Sequence, residues 1–135
     1  MPKGEVIVHS PTEIAGIRRA AAAAAQIRET LAASVIPGMT TRQLDELAGR
    51  LFADAGGQSA FLGYRGFPGQ ICISLNDEVV HGIGSPTRIV HAGDLVSLDV
   101  GIRLDGFIGD TATSFIVAAQ PDAPLAIALL LTSDE

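Results

Sequence analysis

The chain has 135 residues, of which 47% are hydrophobic and 18% charged, which predicts a folded domain with an apolar core rather than a disordered segment. The net charge is −6, and residues 70–135 carry two basic and nine acidic side chains, which argues against a nucleic-acid-binding surface. No apolar run is long enough to span a membrane, no hydrophobic segment follows the N-terminus, and the single cysteine excludes an internal disulfide. We therefore expect a single cytoplasmic domain over residues 1–135, without a membrane or nucleic-acid partner.

Two amphipathic helices are predicted in the first part of the chain. The segment Ser10-Pro11-Thr12-Glu13 combines a capping serine, a proline suited to the first helical position and a capping-box glutamate. Apolar residues at helical spacing continue this helix to about Ser34. A second capping box, formed by Thr40 and Gln43, starts a helix that Gly56-Gly57 ends. The short connection predicts that the two helices pack antiparallel.

The remainder of the chain predicts an antiparallel sheet and one further helix. Residues 71–75 have the composition of a strand, and Val79-Val80-His81-Gly82 is expected to be a short return. Residues 95–117 form two aliphatic arms around Asp105-Gly106, which is a strong hairpin signal. An apolar helix is predicted to begin at about Pro124. Helices followed by antiparallel strands indicate an α+β fold.

The hairpin carries one aspartate on each arm. A two-residue loop places Asp99 opposite Ala112, so that Asp110 lies diagonal to Asp99 on the same face of the sheet. Two carboxylates on one apolar face repel each other unless one is protonated or a cation lies between them. The pair therefore predicts a site for a divalent cation. The alternative is that each aspartate caps a turn or pairs with Arg103.

Four other side chains are candidates for a functional site. His81 precedes a glycine beside the predicted hairpin, where it can donate a proton or hydrogen bond to a carbonyl, although a lone histidine is more often structural or exposed. Cys72 is most simply a buried small residue. Tyr64 and Phe67 either line a small apolar pocket or anchor their own loop.

Four segments carry a family resemblance, and they follow one another in order over about residues 10–117. They are SPTEIAGIRRA, IPGMTTRQLD, FLGYRGFPGQICISLNDEVVHGI and HAGDLVSLDVGIRLDGFIGDTATSF. The chain resembles methionine aminopeptidases of the bacterial type, which belong to the pita-bread metallopeptidases. Prolidases and Xaa-Pro aminopeptidases share the aspartate pair but fit less well around GYRGFPGQICIS.

The resemblance implies half of a pita-bread fold, with two antiparallel helices on an antiparallel sheet. It implies that Asp99 and Asp110 are ligands of a divalent metal (Co, Mn, Fe or Zn) and that His81 is the catalytic residue contacting the scissile amide. The implied substrate is a peptide with an N-terminal methionine. The positions that match the methionine pocket are Tyr64, Phe67 and Cys72.

The resemblance covers only the first half of the family's fold. One histidine and two glutamates that complete the family's metal site have no counterpart in this chain, so we expect weak or absent activity and weak metal binding. One alternative is a homodimeric scaffold in which a second copy covers the sheet edge and the C-terminal helix. Another is a non-catalytic protein that holds a peptide at Tyr64 and Phe67.

Overall fold

Two helices open the fold, α1 at Pro11–Ser34 and α2 at Thr41–Asp54. The computed structural model describes residue 4 and residues 6–78 and 82–119. Both predicted capping boxes are present. The Ser10 hydroxyl accepts a hydrogen bond from the Glu13 amide at 3.2 Å, and the Glu13 carboxylate accepts one from the Ser10 amide at 3.0 Å. These bonds satisfy backbone donors that the first helical turn leaves without partners.

Within the described residues, four antiparallel strands form one sheet: β1 at Gln58–Ser59, β2 at Cys72–Leu75, β3 at Leu95–Leu104 and β4 at Phe107–Ile116. β3 is central. β4 pairs with it along its whole length on one side, while β1 and β2 pair with its two ends on the other side. A short 3-10 turn, Tyr64–Gly66, lies in the loop between β1 and β2.

Both helices pack on the same face of this sheet, and the core lies between them. Alternate residues of the strands point toward the helices, as the two-residue period of a strand requires. Phe52 of α2 is the largest fully buried side chain. The buried residues contributed by the central strands are Ile73, Leu75, Val96, Leu98, Val100 and Ile102. The opposite face of the sheet carries no helix among the described residues.

The α+β architecture with two helices on an antiparallel sheet is therefore confirmed. The two-residue strand β1 was not predicted, because its glycine-flanked sequence reads as a loop. Of the return expected at residues 79–82, the first three residues lie outside the described residues, as does the helix expected from Pro124. No helix in the described part of the chain is long and apolar enough to cross a membrane.

Candidate metal and substrate site

The β3–β4 hairpin turns at Asp105 and Gly106, whose φ angles are 52° and 82°. Left-handed backbone at both loop positions defines the turn that matches the twist of a two-residue hairpin, and Asp-Gly is among the few sequences that adopt it readily. Leu104 consequently pairs with Phe107, and the register continues without a bulge to the end of both strands. The turn thus sets the position of every side chain on the two arms.

This register places the two aspartates as the sequence predicts. Asp99 pairs with Ala112 and Gly101 pairs with Asp110, so Asp99 and Asp110 are diagonal neighbours on the face that is turned away from the helices. Asp99 is half-buried and Asp110 is exposed. The two aspartates are therefore neighbours on the open face, and the exposed Asp110 is accessible to an ion.

Cys72 lies beside this pair, because β2 pairs it directly with Asp99. Cys72 is only 7% exposed. Burial raises the pKa of the thiol to about 11, and the negative charges of Asp99, Asp110 and Asp45 add to the shift. The thiol is consequently protonated at neutral pH, and Cys72 is a small, buried, uncharged residue next to Asp99.

Phe61 also lies on this face, although it is not among the site residues predicted from the sequence. A Cβ atom added to Gly101 would stand 2.6 Å from Cε1 of the Phe61 ring, so the ring lies directly on Gly101, which is two residues from Asp99 and pairs with Asp110. The amide of Ala60 donates a hydrogen bond of 2.9 Å to the Gly101 carbonyl and holds the loop there. A glycine inside a strand often marks such a close approach, and Gly101 was the available signal.

Tyr64 and Phe67 occupy the loop that joins β1 to β2. Tyr64 is 63% exposed, and the Arg65 guanidinium lies 5.3 Å from the centre of its ring. Phe67 is half-buried, and its carbonyl accepts a hydrogen bond of 2.8 Å from Gly63. The loop is therefore a closed turn with one exposed and one half-buried aromatic ring.

Two polar side chains attach this loop to the rest of the fold. The Ser59 hydroxyl accepts hydrogen bonds from the amides of Phe61 and Leu62, each at 3.1 Å, and donates one to the Gln70 carbonyl. From α2, Oδ1 of Asp45 accepts hydrogen bonds from the amides of Gln70 at 2.9 Å and Ile71 at 3.1 Å. Asp45 thereby links the second helix to the point where the loop enters β2.

His81 lies outside the described residues, so its position relative to the aspartates stays a prediction. The next residue, Gly82, is described. Its amide donates a hydrogen bond of 3.2 Å to the Ser74 hydroxyl, and its carbonyl accepts one of 2.9 Å from Ile73. The backbone directly after His81 is therefore hydrogen-bonded to β2. The other two histidines, His9 and His91, are exposed.

The described residues contain no group of three or more histidine, cysteine, aspartate or glutamate side chains arranged to hold a metal ion. What they do offer is a pair of carboxylates with a protonated thiol beside them. Carboxylate oxygens are hard donors that suit divalent cations, and two of them provide part of a coordination shell. The donor set thus fits a metal on the Asp99–Asp110 face, with further ligands required from elsewhere.

Comparison with known proteins places this chain in a family. The model of metallopeptidase family M24 matches residues 15–132. A methionine aminopeptidase of Staphylococcus epidermidis is 41% identical over 120 residues, which cover 89% of this chain and 47% of that protein. Methionine aminopeptidase 1 of Mycobacterium tuberculosis is 42% identical over 118 residues, covering 87% of this chain and 44% of that protein. The chain belongs to metallopeptidase family M24.

Solved structures give the same result for the fold. The methionine aminopeptidase of Rickettsia prowazekii has a TM-score of 0.82 and 31% identity, covering 96% of this chain and 52% of that one. That of Thermotoga maritima has a TM-score of 0.81 and 30% identity, covering 96% and 51%. A prolidase from Pyrococcus furiosus, 18% identical with a TM-score of 0.71, shares the fold over 86% of this chain and 33% of its own. The sheet and helices therefore match the pita-bread fold of methionine aminopeptidases, and the chain spans about half the length of the methionine aminopeptidases it matches.

Proposed function

We propose that this chain provides half of a metallo-aminopeptidase site whose reaction is the removal of an N-terminal methionine from peptides. The observation that carries the proposal is the register of the β3–β4 hairpin, which makes Asp99 and Asp110 diagonal neighbours on an open face. Membership of a metallopeptidase family and likeness to methionine aminopeptidases support it.

Asp99 and Asp110 are the proposed ligands of a divalent ion, which is Co, Mn, Fe or Zn. When bound, such an ion polarises a carbonyl and lowers the pKa of a coordinated water. The two carboxylates hold it at the sheet surface through oxygen donors. Because two ligands neither complete a shell nor fix its geometry, we expect weak metal binding and weak or absent turnover by this chain alone.

The proposed substrate pocket lies beside the carboxylates. Cys72 and the Phe61 ring lie on the same face as the aspartates and present apolar surface to a methionine side chain. Tyr64 and Phe67 belong to the loop that forms its rim. His81 is the proposed catalytic residue, as a hydrogen-bond donor to the peptide carbonyl. A reduced, buried cysteine fits the proposed cytoplasmic location.

Calorimetric titration with Mn²⁺ and Co²⁺ tests the metal site. We expect Asp99→Asn and Asp110→Asn each to weaken binding by at least about tenfold, because each removes one of two charged donors. Asp105→Asn is the matched control. It makes the same change in charge at the hairpin turn, where Asn-Gly is equally suitable. Equal binding by the two site variants and the control would contradict the proposal.

Turnover of a Met-Ala peptide with added Mn²⁺ or Co²⁺ tests the expected weakness. A rate above that of the free metal ion, lost in both site variants and retained in Asp105→Asn, supports an active half-site. Turnover equal to that of a full-length relative would overturn the view that the two carboxylates form an incomplete site. Metal binding without turnover is the expected result of an incomplete ligand shell.

A second candidate is a non-catalytic half-fold that associates with itself. The observation in its favour is apolar exposure on the sheet face that carries the aspartates. Leu95, Ile108 and Ile116 are 40%, 52% and 62% exposed, and all three belong to β3 or β4. Leu95 and Ile116 are direct cross-strand neighbours, and contiguous exposed aliphatic side chains are typical of a contact surface. In this case the proposed metal would lie within an assembly of two chains.

A further inference from the structure

The outer edge of β4 is ten residues long, and no described strand pairs with it. The turn determines which backbone groups face outward. Leu104 and Phe107 flank a two-residue loop and form a hydrogen-bonded pair, and such pairs alternate along an antiparallel ladder. Two bonds on the far side of β3 confirm this alternation. The Gly101 and Leu95 carbonyls both accept hydrogen bonds from residues other than those of β4.

Every second residue of β4 consequently directs its amide and carbonyl away from β3. These residues are also exposed, and their side chains lie on the open face with Asp99. Read along the strand, the outward-facing residues are Ile108, Asp110, Ala112, Ser114 and Ile116. The sequence has an isoleucine at each end, a polar residue next inward on each side, and an alanine at the centre. Two antiparallel copies of this edge can therefore place isoleucine opposite isoleucine and a polar residue opposite a polar residue.

We propose that two copies of this chain pair through their β4 edges, antiparallel and about a two-fold axis at Ala112. In this register Ile108 lies opposite Ile116 of the partner subunit, and Asp110 lies opposite the partner's Ser114. The pairing adds up to about ten backbone hydrogen bonds and forms one continuous sheet. It deepens the self-association considered above and is independent of the aminopeptidase proposal.

The alternative two-fold axis at Asp110 is unfavourable. It would place Asp110 opposite Asp110 of the partner subunit, and like charges directly opposite each other destabilise a strand pair. With the axis at Ala112, the two Asp110 residues are separated by four positions along the strand, about 14 Å. The proposed dimer therefore does not need a cation to form, and each copy keeps its own carboxylate pair.

The helix layer is compatible with a second copy. α1 lies against β4, where the backbone of Ala20 touches Gly109. The helix is composed of alanine from residue 20 to residue 25, and Ala21 and Ala22 are exposed. Side chains of this size leave room for the partner's α1, since the distance between packed helices depends on the side chains at their contact.

Sedimentation velocity of the 135-residue chain over about 1–100 µM tests the pairing through its register. We expect Ile108→Lys and Ile116→Glu each to weaken dimerisation at least about tenfold, because each change breaks two symmetry-related apolar pairs. The Ile108→Lys/Ile116→Glu double variant places opposite charges at both positions and should recover most of the affinity. The matched control is Ile108→Lys/Leu95→Glu. It has the same charges, but Leu95 lies on β3, so the affinity should stay low.

A monomer at about 100 µM, or equal affinity of the two double variants, overturns the proposed pairing. A dimer that requires Mn²⁺ also overturns this register and favours the axis at Asp110. Circular dichroism shows whether each variant remains folded, which is expected because the substituted side chains are exposed. Failure of this proposal is distinct from failure of the metal site. A monomer that binds Mn²⁺ contradicts only the pairing, and a dimer that does not bind it contradicts only the metal site.

Discussion

A single carboxylate on α2 fixes the start of β2. Asp45 accepts hydrogen bonds from two consecutive amides, those of Gln70 and Ile71, at 2.9 and 3.1 Å. The next residue, Cys72, pairs with Asp99 on the open face. Asp45 therefore acts on the proposed site through the backbone, as a positioning residue.

Asp45→Ala should lower the free energy of unfolding by about 2 kcal/mol, since it leaves two half-buried amides without an acceptor. Urea denaturation measures the change. Asp54→Asn is the control, because Asp54 is exposed near the end of the same helix. Hydrogen exchange should speed up at Gln70 and Ile71 in the Asp45 variant only. Unchanged exchange at these amides would contradict the positioning role.

The position of Asp45 also predicts that the free energy of unfolding depends on pH. Burial raises the pKa of Asp45 above its ordinary 3.8, and the hydrogen bonds from Ile71 and Gln70 offset only part of the shift. The folded chain thus binds this proton more tightly than the unfolded chain. Its stabilising contribution is complete below pH 3.8 and is lost as the pH rises through the raised value. The unfolding free energy of the wild type, measured relative to that of Asp45→Asn, should therefore fall as the pH rises above 3.8.

Among the secondary-structure elements, the β3–β4 hairpin owes its register to its turn. Asp105 and Gly106 both have left-handed backbone, and this conformation sets the register that pairs Asp99 with Ala112. Gly106→Ala places a Cβ atom in a conformation that costs about 1–2 kcal/mol, whereas Asp105→Asn should be neutral. Thermal unfolding measures both variants. Equal destabilisation by the two would mean that the strands, rather than the turn, set the register.

Local signals were sufficient for most elements. The capping boxes at Ser10 and Thr40 and the Asp105-Gly106 turn are short-range patterns, so the helices and the hairpin register followed from the sequence. The strand β1 could not be predicted, because two residues become a strand only by pairing with Arg103 and Ile102, which are distant in sequence. The same limit applies to Phe61. Its place on Gly101 depends on how a loop folds back onto the sheet.

Across the whole molecule the two faces of the sheet differ. One face is buried under α1 and α2, and the other carries the carboxylate pair, Cys72 and exposed aliphatic side chains. The methionine aminopeptidases that this chain matches are about twice as long as the chain. An open face of this composition can be completed by further residues of a longer chain or by a second copy. The metal proposal follows from this open face, and the pairing proposal follows from the β4 edge that borders it.

A ligand that binds only the folded chain stabilises it, so the proposed metal site should be visible in global stability. At a Mn²⁺ concentration of ten times the dissociation constant, the gain in unfolding free energy is about 1.4 kcal/mol. For a chain of this size that corresponds to a rise in Tm of roughly 5 °C. We expect this rise in the wild type and in Asp105→Asn, and its loss in Asp99→Asn and Asp110→Asn. Scanning calorimetry at a fixed protein concentration separates the effect from dimerisation, which also raises Tm. A Mn²⁺-dependent rise that persists in both site variants would place the metal somewhere other than the hairpin.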